Sequence, residues 1–152
     1  MRKSNDATPT PNTFRILLID DNRNGLLARK SVLTEQGYVV TACNLPEDAI
    51  KCFTHDCFDL VVTDYRMPQI NGVQLILQLR EIDAKVPIVL VSGMVDVLGL
   101  NEKNTGADAV IAKNSTEIQH MVRAVNRLLQ RKITRKPVRA QSAGRSMRAS
   151  NA

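Results

Sequence analysis

The chain has 152 residues, of which 43% are hydrophobic and 24% charged, a balance suited to one globular domain with short appendages. No apolar run approaches the roughly 20 residues of a membrane-spanning helix, and residues 1–13 lack the apolar stretch of a secretory signal, so a cytoplasmic protein with no membrane partner is expected. The net charge of +6 is uneven: residues 131–152 hold seven Lys or Arg and no acid, which leaves 14 basic against 15 acidic residues in 1–130.

Residues 1–13 are Thr, Pro, Asn and charge without apolar period, and are expected to form a disordered arm. Five short apolar runs follow: Ile16–Ile19, Tyr38–Ala42, Leu60–Thr63, Ile88–Val91 and Ala109–Ala112. Each is rich in aliphatic residues and too short for a helix, as strands buried on both faces of a parallel sheet are. The intervening segments carry helical signals. Residues 22–36 hold Leu26, Leu27 and Leu33, with Gly37 at the place of a terminating glycine. Pro46 opens a second helix with Ala49, Ile50 and Phe53 as its stripe. Leu75, Ile76, Leu79 and Ile82 mark a third, and Ile118, Met121, Val122, Val125, Leu128 and Leu129 the last. The segment 95–104 is the weakest, interrupted by Gly99. Strand–helix alternation five times over predicts an α/β fold: a doubly wound, open, five-stranded parallel sheet in the flavodoxin-like order 2-1-3-4-5, spanning residues 14–130. Residues 131–152 contain little large apolar content and are expected to be a disordered basic tail.

In such a sheet, ligands bind beyond the carboxyl ends of the strands. Asp20 and Asp21 follow the first run, Asp64 the third, Ser92 the fourth and Lys113 the fifth. Only the second run ends without a candidate. Any single acid at a strand end is more often a helix cap, and Asp21 or Asn22 suits that role. The joint set is different: three crowded carboxylates need compensating charge. Oxygen ligands of this kind suit Mg²⁺, and Lys113 and Ser92 supply an ammonium and a hydroxyl for an anionic oxygen. The assembly fits phosphoryl transfer, where catalysis is positioning plus charge neutralisation. No glycine-rich phosphate loop is present, so the phosphoryl group must come from a donor that brings its own leaving group, and Asp64 is a candidate nucleophile. Cys43, Cys52 and Cys57 are odd in number with no CxxC spacing; they are read as reduced, buried small side chains rather than a disulfide framework or zinc site. His55 and His120 are isolated.

The order Asp20-Asp21, Asp64-Tyr65-Arg66-Met67-Pro68 with Gly72, Ser92-Gly93, Gly106-Ala107-Asp108 and Lys113 resembles the CheY-like receiver domain of bacterial two-component response regulators, over residues 14–130. The resemblance extends to Gly37-Tyr38-Val39-Val40 at the second strand. It implies that Asp64 accepts a phosphoryl group from a histidine kinase or phosphotransfer protein. Asp21 would bind Mg²⁺ directly, Asp20 largely through water, and the Arg66 backbone carbonyl would be a further oxygen ligand beside Asp64. Ser92 and the Gly93 backbone would meet the phosphate, and Lys113 would pair with one of its oxygens. Arg66 and Met94 take places that flank the attacking water in hydrolysis.

Two positions depart from the family pattern. Val110 stands where an aromatic switch residue is common. Asn114 stands where a proline commonly follows the lysine in a cis bond, and since a non-proline cis bond costs roughly 3–4 kcal/mol, a rearranged trans loop is expected. Only about 22 residues follow the last helix, as in stand-alone, single-domain regulators. Output by binding is then implied, through the face of the fourth helix, fifth strand and fifth helix, with Val97, Leu98 and Leu100 as candidate contacts. The tail bases Arg131, Lys132, Arg135, Lys136, Arg139, Arg145 and Arg148 lack interleaved aromatics, so a solvated tail is expected, with weak, salt-dependent nucleic-acid contact as its limit. A degenerate receiver acting as a constitutive interaction module is the alternative, motivated by Val110 and Asn114. A phosphohydrolase is disfavoured, because Arg66 occupies the place of its general acid.

Overall fold

The computed structural model describes residues 13–133. Chain order is β1 (Arg15–Ile19), α1 (Arg23–Glu35), β2 (Val39–Cys43), α2 (Pro46–His55), β3 (Leu60–Asp64), α3 (Gly72–Ile82), β4 (Ile88–Ser92), α4 (Val95–Leu98), α5 (Glu102–Thr105), β5 (Ala109–Ala112) and α6 (117–133). The strands form one parallel sheet in the order β2-β1-β3-β4-β5, as the alternation predicts. The disorder expected of residues 1–12 and 134–152 lies outside the described residues. Residues 131–133, expected to belong to the tail, continue α6.

Every residue of β3 and β4 is buried, which accounts for their unbroken apolar runs. Successive side chains point to opposite faces, so the sheet divides its residues between two cores. Ile16, Leu18, Val62 and Val91 meet Leu26 and Leu33 of α1 and Met121, Val125 and Leu128 of α6. Leu17, Ile19, Val61 and Leu90 meet Phe53 of α2 and Leu75, Ile76 and Leu79 of α3. β2, on the edge, is partly exposed.

Local chemistry sets the helix starts. Asn22 caps α1 by accepting from the Gly25 N–H at 2.9 Å. Pro46 opens α2 at a position where its missing N–H leaves no bond unmade. Asn71 and Gln74 exchange bonds in a capping box at α3. At the amino end of the sheet, Asp108 accepts from the Ile88 N–H at 2.8 Å and from Arg80 at 3.0 Å. The Gly106-Ala107-Asp108 stretch therefore ties α3 to β4 at the rim opposite the strand ends that carry the acids.

Several expectations need correction. The weak fourth helix is two single turns, α4 and α5, with Gly99 in the left-handed region (φ 61°) between them and Asn101 capping the second. Leu27 and Ile82, assigned to apolar stripes, are exposed, and Leu100, a candidate surface contact, packs on the core; Val97 and Leu98 are exposed, in keeping with their expected place on the surface. Only Cys43 of the three cysteines is buried; Cys52 is half-buried and Cys57 exposed. Burial, and then contact with Cys52 at 3.8 Å, pushes the Cys43 thiol up to about 12, which keeps it unreactive. No helix among the described residues is long and apolar enough to cross a membrane.

Candidate functional site

Asp64 ends β3, level with Val91 of β4, so Ser92 stands one residue beyond it on the neighbouring strand. Ala112 of β5 is level with Ser92 and delivers Lys113 to the same rim, where its N–H donates to the Ser92 carbonyl at 3.0 Å. Asp20 and Asp21 leave the end of β1, on the other side of β3. Parallel pairing thus places the chemistry of four strand ends together. Asp20, Asp21 and Asp64 each offer a carboxylate oxygen within 4.8 Å of the others. An open cleft of about 470 Å³ is lined by Asp21, Asn22, Asp64, Arg66, Met67, Pro68 and Lys113.

The three acids differ in surroundings. Asp21 is exposed. Asp20 is fully buried, and both its oxygens are engaged: Oδ1 accepts from the Asn22 N–H at 2.9 Å, and Oδ2 pairs with Arg29. Asp64 is 4% exposed. Lys113 Nζ lies 2.7 Å from its Oδ1, an ion pair on the buried carboxylate. Burial pushes the Asp64 carboxyl above its ordinary value, Lys113 opposes this, and the neighbouring Asp20 charge adds to it.

The loop after β3 is held close. The Gly72 N–H donates to the Tyr65 carbonyl at 2.7 Å, and a Cβ at Gly72 would stand 2.6 Å from the Asp64 carbonyl oxygen. Only glycine lets α3 begin this near the end of β3. Gln69 takes a positive φ of 76°, with the Ile70 N–H turned back to the Pro68 carbonyl, so the loop carrying Arg66 and Met67 contains a strained residue.

Ser92 is buried, and its hydroxyl oxygen accepts from the Met94 N–H at 2.8 Å. Gly93 beside it is exposed, and Arg66 projects on the open side of the cleft. Val110 is half-buried on β5. There is no cis peptide among the described residues, so the Lys113–Asn114 bond is trans, as the cost of a non-proline cis bond predicts. Asn114 instead accepts at its side chain from the Thr116 N–H and hydroxyl, both 2.9 Å, and its carbonyl accepts from the Glu117 N–H at 3.1 Å. Asn114 thereby opens the turn into α6. His55 and His120 are exposed and stand apart from these residues.

Sequence reasoning missed Arg29 and Glu117. Arg29 is buried and bridges Asp20 and Glu117, with its Nε donating to Glu117 Oε2 at 2.7 Å and its Nη2 2.6 Å from the same oxygen. The available signal was periodicity. Leu26, Arg29 and Leu33 share the buried face of α1, so an arginine sits on an apolar stripe where only a paired charge is tolerated.

The residues present fit a divalent cation. Three carboxylates converge, one of them exposed, an all-oxygen donor set of the kind a hard divalent cation takes.

Comparison with known proteins places these residues in context. Residues 16–126 match the family described as "Response regulator receiver domain". A probable transcriptional regulator, ycf27, of Cyanidium caldarium is 31% identical over 119 residues, 76% of this chain and 47% of that protein. The chain spans less than half the length of such curated relatives, and 16% of a gliding motility regulatory protein of Myxococcus xanthus. A response regulator receiver protein from Sinorhizobium medicae is 33% identical, with a TM-score of 0.68 over 80% of this chain and 98% of that one. The response regulator TrrA of Thermotoga maritima, solved in complex with Mg²⁺ and BeF, is 27% identical, with a TM-score of 0.69 over 76% of this chain and 99% of that one. Phosphorylation on aspartate and Mg²⁺ binding in an acid pocket are typical of this group, and on sequence and fold the chain belongs to the response regulator receiver domain family.

Proposed function

We propose that this chain is a phosphorylatable receiver in which Asp64 takes a phosphoryl group from a histidine kinase or histidine phosphotransfer protein and signals by changing its binding surface. One observation carries the reading: the buried Asp64 carboxylate, at the end of the central strand, is paired with Lys113 Nζ at 2.7 Å inside an acid-lined cleft. A carboxylate oxygen attacks phosphorus, the P–N bond to the donor histidine breaks, and the imidazole nitrogen keeps the electron pair. The product is an acyl phosphate, later returned to carboxylate and inorganic phosphate by water.

The remaining residues serve charge and position. Lys113 draws the negative oxygens of the incoming group. Ser92 turns its hydroxyl from its own loop toward the phosphate, and the exposed Gly93 backbone leaves room there. Asp21, Asp64 and the Arg66 carbonyl would hold Mg²⁺, with Asp20 acting less directly because both its oxygens are engaged. Bound there, Mg²⁺ supplies charge neutralisation for the transferring group. Arg66, two residues beyond Asp64, offers no proton for a leaving alcohol, so the reading is a switch and not a turnover phosphohydrolase. A complete Asp64–Lys113 pair favours a competent site over a degenerate module, even with Val110 in place of an aromatic. The downstream partner is met on the face of α4, α5, β5 and α6, where Val97 and Leu98 are exposed.

The test is incubation with acetyl phosphate and Mg²⁺, followed by intact-protein mass measurement. The wild type should gain one phosphoryl mass that chelation of the metal prevents, and Asp64→Asn should gain none. Equal labelling of the two proteins would overturn the assignment of Asp64.

A further inference from the structure

The acid cluster contains a cation of its own. Arg29 is 4% exposed and Asp20 fully buried, and the guanidinium joins Asp20, at the end of β1, to Glu117, in the first turn of α6. The fold makes room for this. At Gly25 a Cβ would stand 2.7 Å from Asp20 Oδ2 and 3.3 Å from Arg29 Nη1, so the third residue of α1 is a glycine where an alanine would favour the helix by about 1 kcal/mol. The Asp20 oxygen held by Arg29 belongs to the same carboxylate that converges with Asp21 and Asp64.

We propose that Arg29 is a built-in competitor of the divalent cation for Asp20, and that Glu117 sets the strength of that competition by drawing the guanidinium toward α6. This rests on reading the acid cluster as a divalent cation site. A cation entering the cluster, directly or through water, draws on the Asp20 carboxylate and weakens its pairing with Arg29, because the two cations share one negative charge. Arg29 then leans more on Glu117, and the load on the first turn of α6 changes. Occupancy of the cleft is thereby felt by a helix of the proposed binding face, along a path that needs no aromatic at Val110. Arg29 is a positioning residue here, acting through Asp20.

Calorimetric titration of the metal-free protein with MgCl₂ at fixed ionic strength tests this. Arg29→Gln should bind Mg²⁺ about tenfold more tightly, the effect of losing one charge-assisted bond that opposes entry. Glu117→Gln should bind several-fold more weakly, because Arg29 then turns its full charge on Asp20. Glu117 is partly exposed, so that variant keeps the test usable if Arg29→Gln fails to fold. Opposite shifts in the two variants support the competition. Unchanged affinity in Glu117→Gln, or weaker binding in Arg29→Gln, overturns it while leaving the cation site itself standing. Wild-type protein that takes up no Mg²⁺ overturns the site reading and the competition together.

Discussion

Burial makes the ionised form of Asp64 costly, and the charge of Asp20 beside it adds to the cost. The folded protein therefore holds the Asp64 proton to higher pH than the unfolded chain does. Between the ordinary value of 3.8 and the raised folded value, the folded state binds more protons, so metal-free stability falls as pH rises through that window. Asp64→Asn removes this cost. In chelator-treated protein it should raise the unfolding midpoint at neutral pH, with the gain vanishing as pH falls below the ordinary carboxylate range. Urea unfolding at a series of pH values checks this, and a variant less stable than wild type at neutral pH would contradict it. Asp20, Asp21, Asp64, Ser92 and Lys113 were legible in the sequence because each follows an apolar run, and topology alone brings such positions to one rim. Arg29 was not legible as a partner of Asp20. A long side chain can leave a helix in several directions, and only packing fixes which acid it meets.

Among the elements, α3 matters most to the cleft, because it starts where the loop from Asp64 ends. Its start depends on reciprocal bonds between Asn71 and Gln74, at 2.8 and 2.9 Å. Asn71→Ala should cost about 1 kcal/mol of stability, read from chemical unfolding, and it should loosen the Met67–Ile70 loop, read as faster amide exchange there. No change in either would show that packing alone holds the helix start. The elements were unequally legible. β5 runs over Ala109–Ala112 as its apolar run predicts, while β1, β2, β3 and β4 shift or extend by a residue because pairing, not hydrophobicity, sets strand ends. The segment 95–104 read only as a weak helix. Its division into α4 and α5 follows from the positive φ of Gly99 and the Asn101–Asn104 capping box, a reciprocal pair of asparagines that the usual Ser/Thr and Glu/Gln signature does not reveal.

Across the molecule, the two cores hold the sheet so that its carboxyl rim is built in advance. Leu79 is fully buried between α3 and the sheet, and Leu79→Ala should cost about 2–5 kcal/mol by cavity formation, measured by urea unfolding. Ligand linkage runs the other way: a cation that binds only the folded state adds stability as its concentration rises, about 2.7 kcal/mol at a hundredfold excess over its Kd. The wild-type midpoint should therefore climb with MgCl₂, and Asp64→Asn should climb less. Fold class and strand order were legible because five apolar runs alternating with helical segments leave few right-handed solutions. The extent of α6 was not, since residues 131–133 carry no strong apolar signal and Lys132 reaches Asp59 at 3.4 Å only once the fold is made.

The central claim, that the acid ending β3 is the phosphoryl acceptor, is tested most directly by chemical trapping. Protein treated with acetyl phosphate and Mg²⁺ is reduced with borohydride, which converts an aspartyl phosphate to homoserine, and the peptides are sequenced by tandem mass spectrometry. Homoserine at position 64 is the predicted result, abolished when the metal is chelated. Homoserine at position 20 or 21 instead, with Asp64 unmodified, would contradict the account.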